Sequence, residues 1–471
     1  MTTPLWTAEE LRRTLGADVP PGLSATGVSF DTRTLQAGDL FFAIKGISMD
    51  GHRFVARALE QGAAAAVIEA GREGEFAGAG PLIAVSDVLE ALNRLGLAAR
   101  ERSGAKIIAV TGSVGKTSTK EMLRAVLSRH GKTHYSEASY NNHWGVPLSL
   151  ARMPRDCAYG VFEIGMNHMG EIRPLVKMVR PHYALVTHIG PVHLEFFASV
   201  EEIADAKAEI FAGLEPGGVA VLSWDSPYFE RLKAHALAGG ASRIVSFGEI
   251  PGADIRAVGI RETPDGSVIS AEVFGAPIVY QCSVPGRHMA MNSLAVLAAA
   301  REMGIPPAET AEALAHVSAA KGRGERWRLA VGDGAFTLID ESYNANPESV
   351  RAALTALGRT PVSGSGRRIA ALGPMRELGP GGPALHAELA QTLAELAVDS
   401  VYLAGDLMQS LYKVLPEHQK TLWVEQSADL IQPLLNILHP GDVLMVKGSL
   451  STRMGLIVKA LKEHYPPAPA D

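Results

Sequence analysis

The stretch that decides the fold is Thr111-Gly112-Ser113-Val114-Gly115-Lys116-Thr117-Ser118. An apolar run precedes it and an amphipathic helical pattern follows, which is the setting of a phosphate-binding loop. Glycines let backbone N–H groups approach phosphate oxygens, and the helix N-terminus adds partial positive charge. In such a loop Lys116 reaches the β- and γ-phosphates and Thr117 can ligate Mg²⁺. We therefore predict an ATP site. The alternative is a glycine-rich turn with an incidental lysine.

Working outward from this loop, short apolar runs alternate with helical patterns, which is typical of parallel α/β sheets. The pattern predicts strands at 106–111, 161–164, 183–188, 219–222, 244–247, 336–340, 368–372, 400–403 and 443–446. It predicts helices at 117–129, 200–212, 228–238 and 289–303. Between them, residues 253–284 alternate in polarity and include the turn signal Pro264-Asp265-Gly266, which indicates antiparallel strands.

Two short polar segments divide the chain of 471 residues. One lies at 102–105, just before the strand that leads into the loop, and the other is the charged, glycine-rich segment 321–325. We therefore expect three α/β domains, at 1–104, 105–322 and 323–471. This number agrees with the length, since a domain takes roughly 150 residues.

Composition excludes several classes of protein. The net charge of −6 gives no general attraction for nucleic acid or an anionic membrane, so we expect neither as a partner. The two cysteines, Cys157 and Cys282, form no CxxC pair, which excludes a disulfide framework and favours a reducing compartment. The acidic N-terminus is unlike a signal peptide, and no apolar run reaches the roughly 18 residues that a membrane helix needs. A cytoplasmic location is expected.

Three further residues could carry chemistry. Glu163 stands in an otherwise apolar strand, where a carboxylate needs a cation or a donor beside it. It could reach a metal at the carboxyl end of the sheet, or it could bond to a helix cap or lysine. His193 lies on a loop after a strand and Lys207 on the following helix. Residues of these two types are more often structural or solvated than catalytic, and the pattern alone does not decide between the roles.

Taken together, these motifs resemble the Mur ligases of peptidoglycan synthesis, which are three-domain, ATP-dependent, amide-forming enzymes. The motifs follow the order of that family, and the resemblance covers essentially the whole chain. They are TGSVGKT at 111–117, FEIGMNHMGEI at 162–172, HLEFFASVEEIADAKAEIF at 193–211 and GRHMAMN at 286–292. The resemblance implies a small N-terminal α/β substrate domain, a central parallel sheet of the P-loop ATPase type and a C-terminal Rossmann-like α/β domain.

The resemblance also implies roles for individual residues around ATP and Mg²⁺. Lys116 would act on the phosphates, and Thr117 with Glu163 would hold one Mg²⁺. His193 would serve a second metal, and so would Lys207 if CO₂ carbamylates it to a carboxylate. The nucleotide would also be bound through Thr111 to Ser118, His288, Asn292, Arg323 and Asp340.

Further segments are most like the branch of the family that joins D-alanyl-D-alanine to UDP-N-acetylmuramoyl-tripeptide. They are NNHWGVP at 141–147, DESYNANP at 340–347, LGPMRELG at 372–379 and VKGS at 446–449. The resemblance implies that both compounds are substrates and that the protein is a monomer. Substrate contacts would come from Asp31, Thr32, Arg33, Asn141, Asn142, Tyr343, Asn344 and Asn346.

Two other functions remain open at this point. One is another amino-acid-adding ligase of the same type, such as the diaminopimelate-adding enzyme, whose Asp-Asn-Pro-Arg signature is absent from the sequence. The other is a P-loop regulatory ATPase, which would hydrolyse ATP without a peptide acceptor.

Overall fold

In the computed structural model of the protein, residues 4–46, 49–263 and 265–469 are described. The predicted turn at 264–266 therefore lies partly outside the described residues, because Pro264 is excluded. The described chain forms α/β units around three larger sheets of four, nine and six strands. The prediction of an α/β fold with three parallel or mostly parallel sheets is confirmed.

The N-terminal unit is built on a four-stranded parallel sheet. Its elements are β1 (Trp6–Thr7), α1 (Ala8–Leu15), β2 (Ser24–Ala25), β3 (Gly27–Ser29), β4 (Asp39–Phe42), α2 (Val55–Glu60), β5 (Ala65–Glu69), β6 (Leu82–Val85) and α3 (Val88–Glu101). The sheet order is β3-β4-β5-β6. α1 begins at a capping box, in which the Thr7 hydroxyl accepts from Glu10 N and the Glu10 carboxylate accepts from Thr7 N.

A nine-stranded sheet forms the central unit. Its elements are β7 (Lys106–Thr111), α4 (Lys116–Leu127), β8 (Thr133–Tyr135), α5 (Gly145–Ala151), β9 (Tyr159–Glu163), α6 (Ile172–Val179), β10 (Tyr183–Val186), α7 (Val200–Ala208), β11 (Val219–Ser223), α8 (Phe229–Ala238), β12 (Arg243–Gly248), β13 (Ile255–Thr263), β14 (Gly266–Val273), β15 (Ala276–Cys282), α9 (Arg287–Glu302) and α10 (Pro307–Leu314). The order is β15-β14-β13-β12-β11-β10-β7-β9-β8, with β13 to β15 antiparallel to one another. The antiparallel strands predicted within 253–284 are thus confirmed.

β7 occupies the interior of this sheet because both of its faces are apolar. Ile108 and Val110 pack into the core beneath α4 and α9, whereas Ile107 and Ala109 face the core that contains α5, α6 and α7. Successive side chains of a strand point to opposite faces, so a continuous apolar run fits only a strand covered on both sides. This placement sets the phosphate-binding loop between the ends of β9 and β10, the two neighbours of β7.

The C-terminal unit is a six-stranded sheet with helices on both faces. Its elements are β16 (Glu325–Val331), β17 (Gly334–Glu341), α11 (Pro347–Arg359), β18 (Arg368–Leu372), α12 (Gly382–Ala387), α13 (Leu389–Glu395), β19 (Ser400–Ala404), α14 (Gln409–Val414), β20 (Lys420–Val424), α15 (Ile431–Ile437), β21 (Val443–Lys447) and α16 (Gly455–His464). The order is β16-β17-β21-β18-β19-β20, and only the β16–β17 pair is antiparallel.

The N-terminal and central units are joined by buried contacts. Trp6 Nε1 donates to Ala151 O at 2.9 Å. α3 packs against α5 at Gly96, where a side chain would meet Pro147 O at 3.0 Å. None of the helices in the described ranges combines the length and the apolar character that a bilayer crossing requires.

The sequence suggests that the tail at 466–471 is disordered, and for its described part this is wrong. Ala330 N donates to Pro466 O, and Ala468 N donates to Arg328 O, so the segment pairs with the edge strand β16. An unpaired strand edge offers free backbone groups that an extended tail can bind. Residues 470 and 471 lie outside the described residues.

The packing of β9 gives a stability prediction. Phe162 is fully buried in the core beneath α5 and α6. We expect Phe162→Ala to lower the free energy of unfolding by about 3–5 kcal/mol, because it removes apolar contacts and leaves a cavity. Urea denaturation measures the change. Val279→Ala is the control, since that side chain is 69% exposed and its loss should cost less than about 0.5 kcal/mol. Equal effects of the two variants would contradict the assigned core.

Candidate active site

The phosphate-binding loop has the backbone that its glycines predict. Gly115 has φ +89° and stands at the N-cap of α4, and an added Cβ there would lie 2.7 Å from Asn292 Oδ1. No side chain caps this helix, so its first N–H groups remain available to an anion. Lys116 Nζ donates to Gly112 O at 2.7 Å. Burial lowers the pKa of the Lys116 ammonium, which a bound phosphate would counteract.

Glu163 is the buried carboxylate at the end of β9, in register with Val110 of β7. Each of its oxygens accepts one hydrogen bond. Thr117 Oγ1 donates to Oε2 at 2.8 Å, and Asn141 Nδ2 donates to Oε1 at 2.7 Å. The sequence left open whether Glu163 reaches a metal or bonds to a helix cap or a lysine. Its hydrogen-bond partners in the structure are a hydroxyl in the first turn of α4 and an amide, and neither is a lysine. Both partners are neutral, and the Lys116 ammonium is near enough to interact electrostatically with this carboxylate.

Thr117 and Glu163 fit a magnesium ion. Mg²⁺ prefers oxygen ligands at roughly 2.0–2.1 Å in octahedral geometry, so adjacent ligands lie about 2.9 Å apart. The 2.8 Å between Thr117 Oγ1 and Glu163 Oε2 is close to that spacing. Across the described residues, however, no three His, Cys, Asp or Glu side chains come close enough to hold a metal by themselves. A metal bound here would need oxygen ligands from a nucleotide.

Lys207, on α7, is 1% exposed. Within the described part of the chain, its amine makes no hydrogen bond or ion pair. Burial, with the nearby Lys116 ammonium as a second cause, lowers the pKa of the Lys207 amine well below its ordinary value. A buried amine of this kind favours the neutral, nucleophilic form.

The loop after β10 brings two histidines against the C-terminal unit. His193 Nδ1 lies 2.5 Å from Glu377 Oε2, and both residues have left-handed backbone, with φ +56° and +63°. The hydrogen bond to His193 lowers the pKa of the Glu377 carboxyl. His188 Nε2 lies 3.1 Å from Glu348 Oε2 on α11. The sequence predicts a role for His193 but none for His188 or Glu348, and Glu377 stands in the motif at 372–379, for which the sequence predicts no individual role.

The C-terminal wall of the site contains a second buried lysine. Lys447, at the end of β21, donates to Asn344 O at 2.9 Å and to Glu341 Oε2 at 3.2 Å. Burial lowers the pKa of its ammonium. The Arg323 guanidinium lies 4.5 Å from the centroid of the Tyr343 ring. Lys447 lies in the VKGS motif at 446–449, for which the sequence predicts no role. Its position beside β17 depends on the pairing of distant strands, which no local pattern predicts.

Most of these groups line one cleft of about 600 Å³ between the central and C-terminal units, whereas Lys207 and Glu377 lie outside its lining. It brings together most of the predicted nucleotide and metal residues, which are Ser113, Val114, Gly115, Lys116, Thr117, Ser118, Glu163, His193, His288, Asn292 and Arg323. Asn141, Tyr343, Asn344 and Asn346 also line it. Its walls include Asp225, Phe247 and Met291, which the sequence analysis did not predict.

Several predicted residues have other surroundings. Asp340 is buried and accepts from Ser342 N and Oγ, so it supports the turn rather than lining the cleft. Asn142 Oδ1 accepts from Trp144 N and Gly145 N at the start of α5. Thr111 Oγ1 donates to Ile164 O, which ties β7 to β9. Asn346 lines the cleft and also caps α11 by accepting from Ser349 N.

The predicted N-terminal substrate residues lie outside the lining of the cleft. Asp31 and Arg33 form a two-pronged ion pair with each other, with the shortest N–O distance at 2.5 Å, and Arg33 is exposed. That pairing lowers the pKa of the Asp31 carboxyl. Thr32 is buried between them. The adjacent Phe30 ring meets the Tyr140 ring at 5.7 Å, so this segment borders the central unit next to Asn141.

The fold and the cleft together are those of a P-loop protein with an open cleft between two α/β units. Models of Mur ligases match the chain in three parts: "Mur ligase family, catalytic domain" at 24–102, "Mur ligase middle domain" at 110–300 and "Mur ligase, glutamate ligase domain" at 322–450. The chain belongs to the Mur ligase family. It is accordingly an ATP-dependent, amide-forming ligase.

Individual relatives resemble the chain over nearly its whole length. The UDP-N-acetylmuramoyl-tripeptide–D-alanyl-D-alanine ligase of Rickettsia prowazekii is 31% identical over 96% of this chain and 99% of its own. A crystal structure of MurF from Acinetobacter baumannii is 30% identical, covers 98% of this chain and 99% of that one, and has a TM-score of 0.84. MurF from Thermotoga maritima, solved in complex with ADP, is 25% identical, with coverages of 93% and 97% and a TM-score of 0.75.

The buried Lys207 gives a prediction of pH dependence. Its pKa in the folded protein lies below the ordinary 10.5, so the unfolded chain binds more protons between the two values and stability rises with pH there. In CO₂-free buffer, Lys207→Met should therefore raise the free energy of unfolding at pH 7. The gain should shrink as pH approaches 10.5, by at most about 1.4 kcal/mol per pH unit.

Denaturant titrations at several pH values measure this difference. Lys459→Met is the matched control, since the Lys459 side chain is 70% exposed and its substitution should show no such trend. A gain for Lys207→Met that does not vary with pH would contradict a depressed pKa.

Proposed function

We propose that this chain joins D-alanyl-D-alanine to UDP-N-acetylmuramoyl-tripeptide at the expense of ATP, through an acyl phosphate. The observation that carries the proposal is the intact Thr117–Glu163–Asn141 group beside the phosphate-binding loop, in a chain matched end to end by ligases of that name. Other amino-acid-adding ligases share the fold at much lower identity. A diaminopimelate ligase, for example, is 15% identical with a TM-score of 0.52.

The first step joins two anions. A terminal carboxylate oxygen of the tripeptide attacks the γ-phosphorus of ATP, the bond to the β–γ bridging oxygen breaks, and ADP leaves. Lys116 already lies over the loop and can transfer its hydrogen bonds from Gly112 O to phosphate oxygens. Fixed positive groups aimed at developing charge lower the barrier most in a site with little water.

The second step forms the amide. The dipeptide amine attacks the acyl carbonyl, the bond to the phosphate oxygen breaks, phosphate leaves, and the nitrogen loses its proton. The C-terminal wall, with Arg323, Tyr343, Asn344 and Lys447, faces the phosphate-binding loop across the cleft. We assign the incoming dipeptide to this wall. Docking of the two units would also exclude water from the acyl phosphate.

Each part of the chain then has its own role. Residues 1–104 would bind the UDP end of the substrate through Asp31, Thr32 and Arg33, once the Asp31–Arg33 pair opens toward the ligand. Residues 105–322 would bind ATP, and residues 323–471 would bind the dipeptide and approach the nucleotide. The requirement for ATP favours a cytoplasmic location. A single chain supplies every group used here, so we propose a monomer.

Thr117 and Glu163 would hold Mg²⁺, which neutralises phosphate oxygens when bound. His193 is assigned to a second metal, although in the apo protein its Nδ1 is engaged by Glu377. The Lys207 amine would attack CO₂ to form a carbamate, with a proton lost from nitrogen, and so become an anionic ligand. The neutral amine that this reaction needs is the form favoured by its burial.

Phosphate release from ATP with Mg²⁺ tests the proposed reaction. We expect release to need both UDP-N-acetylmuramoyl-tripeptide and D-alanyl-D-alanine, with a pentapeptide product identified by mass. Lys116→Ala should lower kcat by about 100-fold or more, because it removes a fixed cation from the γ-phosphate.

Other outcomes of this assay would change the proposal. Release that needs the nucleotide tripeptide but responds to a different amine would indicate another member of the family. Release that is indifferent to both substrates would support the regulatory ATPase and overturn the ligase. Unchanged turnover of Lys116→Ala would remove the role of that lysine.

Carbamylation of Lys207 is tested separately. With ¹³C-bicarbonate, the chain should show a carbamate resonance by ¹³C NMR that Lys207→Met lacks. Lys459→Met, at an exposed lysine, should keep the resonance. A spectrum of the parent chain identical to that of Lys207→Met would exclude the carbamate.

A further inference from the structure

A third buried lysine lies close to the site and has no part in the proposed reaction. Lys120 is on α4, one turn after Lys116, and its side chain is fully buried. Its ammonium donates to Ser136 O at 2.8 Å and to Ala138 O at 2.9 Å, and it lies 3.0 Å from Glu121 Oε1. Burying a lysine costs free energy unless its charge and its N–H donors have partners, and these three groups are those partners.

The carbonyls that Lys120 holds belong to a segment with unusual geometry, residues 136–141. Ala138 has φ +46°, a left-handed conformation that a residue with a Cβ adopts only where its surroundings impose it. The segment then returns toward the sheet, where Gly165 N donates to Asn141 O at 2.8 Å. Gly165 leaves no room for a side chain there, because an added Cβ would meet the Asn141 amide at 2.9 Å.

This segment delivers two groups to Glu163. Ser136 Oγ accepts from Glu163 N at 3.3 Å, and Asn141 Nδ2 donates to Glu163 Oε1 at 2.7 Å. The other carboxylate oxygen is held from α4 by Thr117. The orientation of the carboxylate therefore depends on the separation of α4 from segment 136–141, and among the hydrogen bonds of the described residues those of Lys120 link the two.

We infer that Lys120 is a positioning residue for the reaction. It fixes segment 136–141 against the helix of the phosphate-binding loop, and so sets Asn141 and, through Asn141, the orientation of Glu163. The inference rests on the proposed function for its kinetic consequence. Its structural part, the link from Lys120 to Asn141, can be tested without any substrate.

The substrate-free test is hydrogen exchange on the apo protein. Lys120→Met keeps an unbranched side chain but removes the ammonium, so the amides of 136–141 should exchange at least tenfold faster. Lys106→Met is the matched control, since Lys106 Nζ also donates to a backbone carbonyl, Met303 O at 2.7 Å, at the opposite end of β7. That control should leave exchange in 136–141 unchanged.

The kinetic test is a double-mutant cycle with Asn141→Ala. Lys120→Met should lower kcat by about 10- to 100-fold, because small displacements of a positioned group have effects of that size. ATP affinity measured without Mg²⁺ should stay within about twofold, since the loop contacts are untouched. If Lys120 acts through Asn141, the double variant should be no slower than Asn141→Ala alone, within about twofold.

Each outcome decides the matter. Multiplied effects in the double variant, or unchanged exchange in 136–141, would overturn the positioning role. Should Lys120→Met not fold, Lys120→Gln retains a donor and is measured in the same way, with a smaller loss expected. Absence of acceptor-dependent phosphate release in the parent chain would count against the proposed function only, because the exchange test stands apart from it.

Discussion

The structure around the cleft depends on one constraint, the placement of a carboxylate inside an apolar sheet. Glu163 ends a strand in which the three preceding residues are buried, and an anion there is stable only with donors on both oxygens. One donor, Thr117, comes from the helix of the phosphate-binding loop, and the other, Asn141, comes from a segment about 20 residues before the strand. Because both donors must be held in fixed places, the loop, the helix and that segment form one unit.

Charged and titratable groups from both α/β units lie in and around the cleft. The central unit contributes Lys116 and Lys207, and burial disfavours the charged form of both amines. It also contributes two histidines that are exposed or half-buried. In the C-terminal unit, Glu348 and Glu377 lie within hydrogen-bond distance of these histidines. Lys447 adds a further buried amine. Hydrogen bonds between these histidines and carboxylates join the two units across the cleft, and the buried amines favour a polyanionic ligand between them.

Features with a local cause could be predicted from the sequence. The strand predicted at 106–111 agrees with β7 because a continuous apolar run suits a strand covered on both faces. The glycines of the loop predict its positive φ angles. Contacts between distant segments leave no such pattern, so the contacts of Lys120 and Glu348 could not be predicted, and Glu377 could be placed in a motif but not against His193. Asn142 shows a local role that the resemblance does not reveal, since its side chain accepts hydrogen bonds at the start of α5, while its contact with substrate stays a prediction.

The three buried lysines separate by what satisfies their amines. Lys120 has two carbonyls and a carboxylate as partners, so it serves as a structural link. Lys447 has one carbonyl and one carboxylate, and its depressed pKa marks a partial compensation. Lys207 has no partner among the described residues, and stability is lost there for as long as the amine stays unmodified. A depressed pKa at a buried group without a polar partner is typical of functional sites, and the carbamate proposed above would place an anion near Lys116.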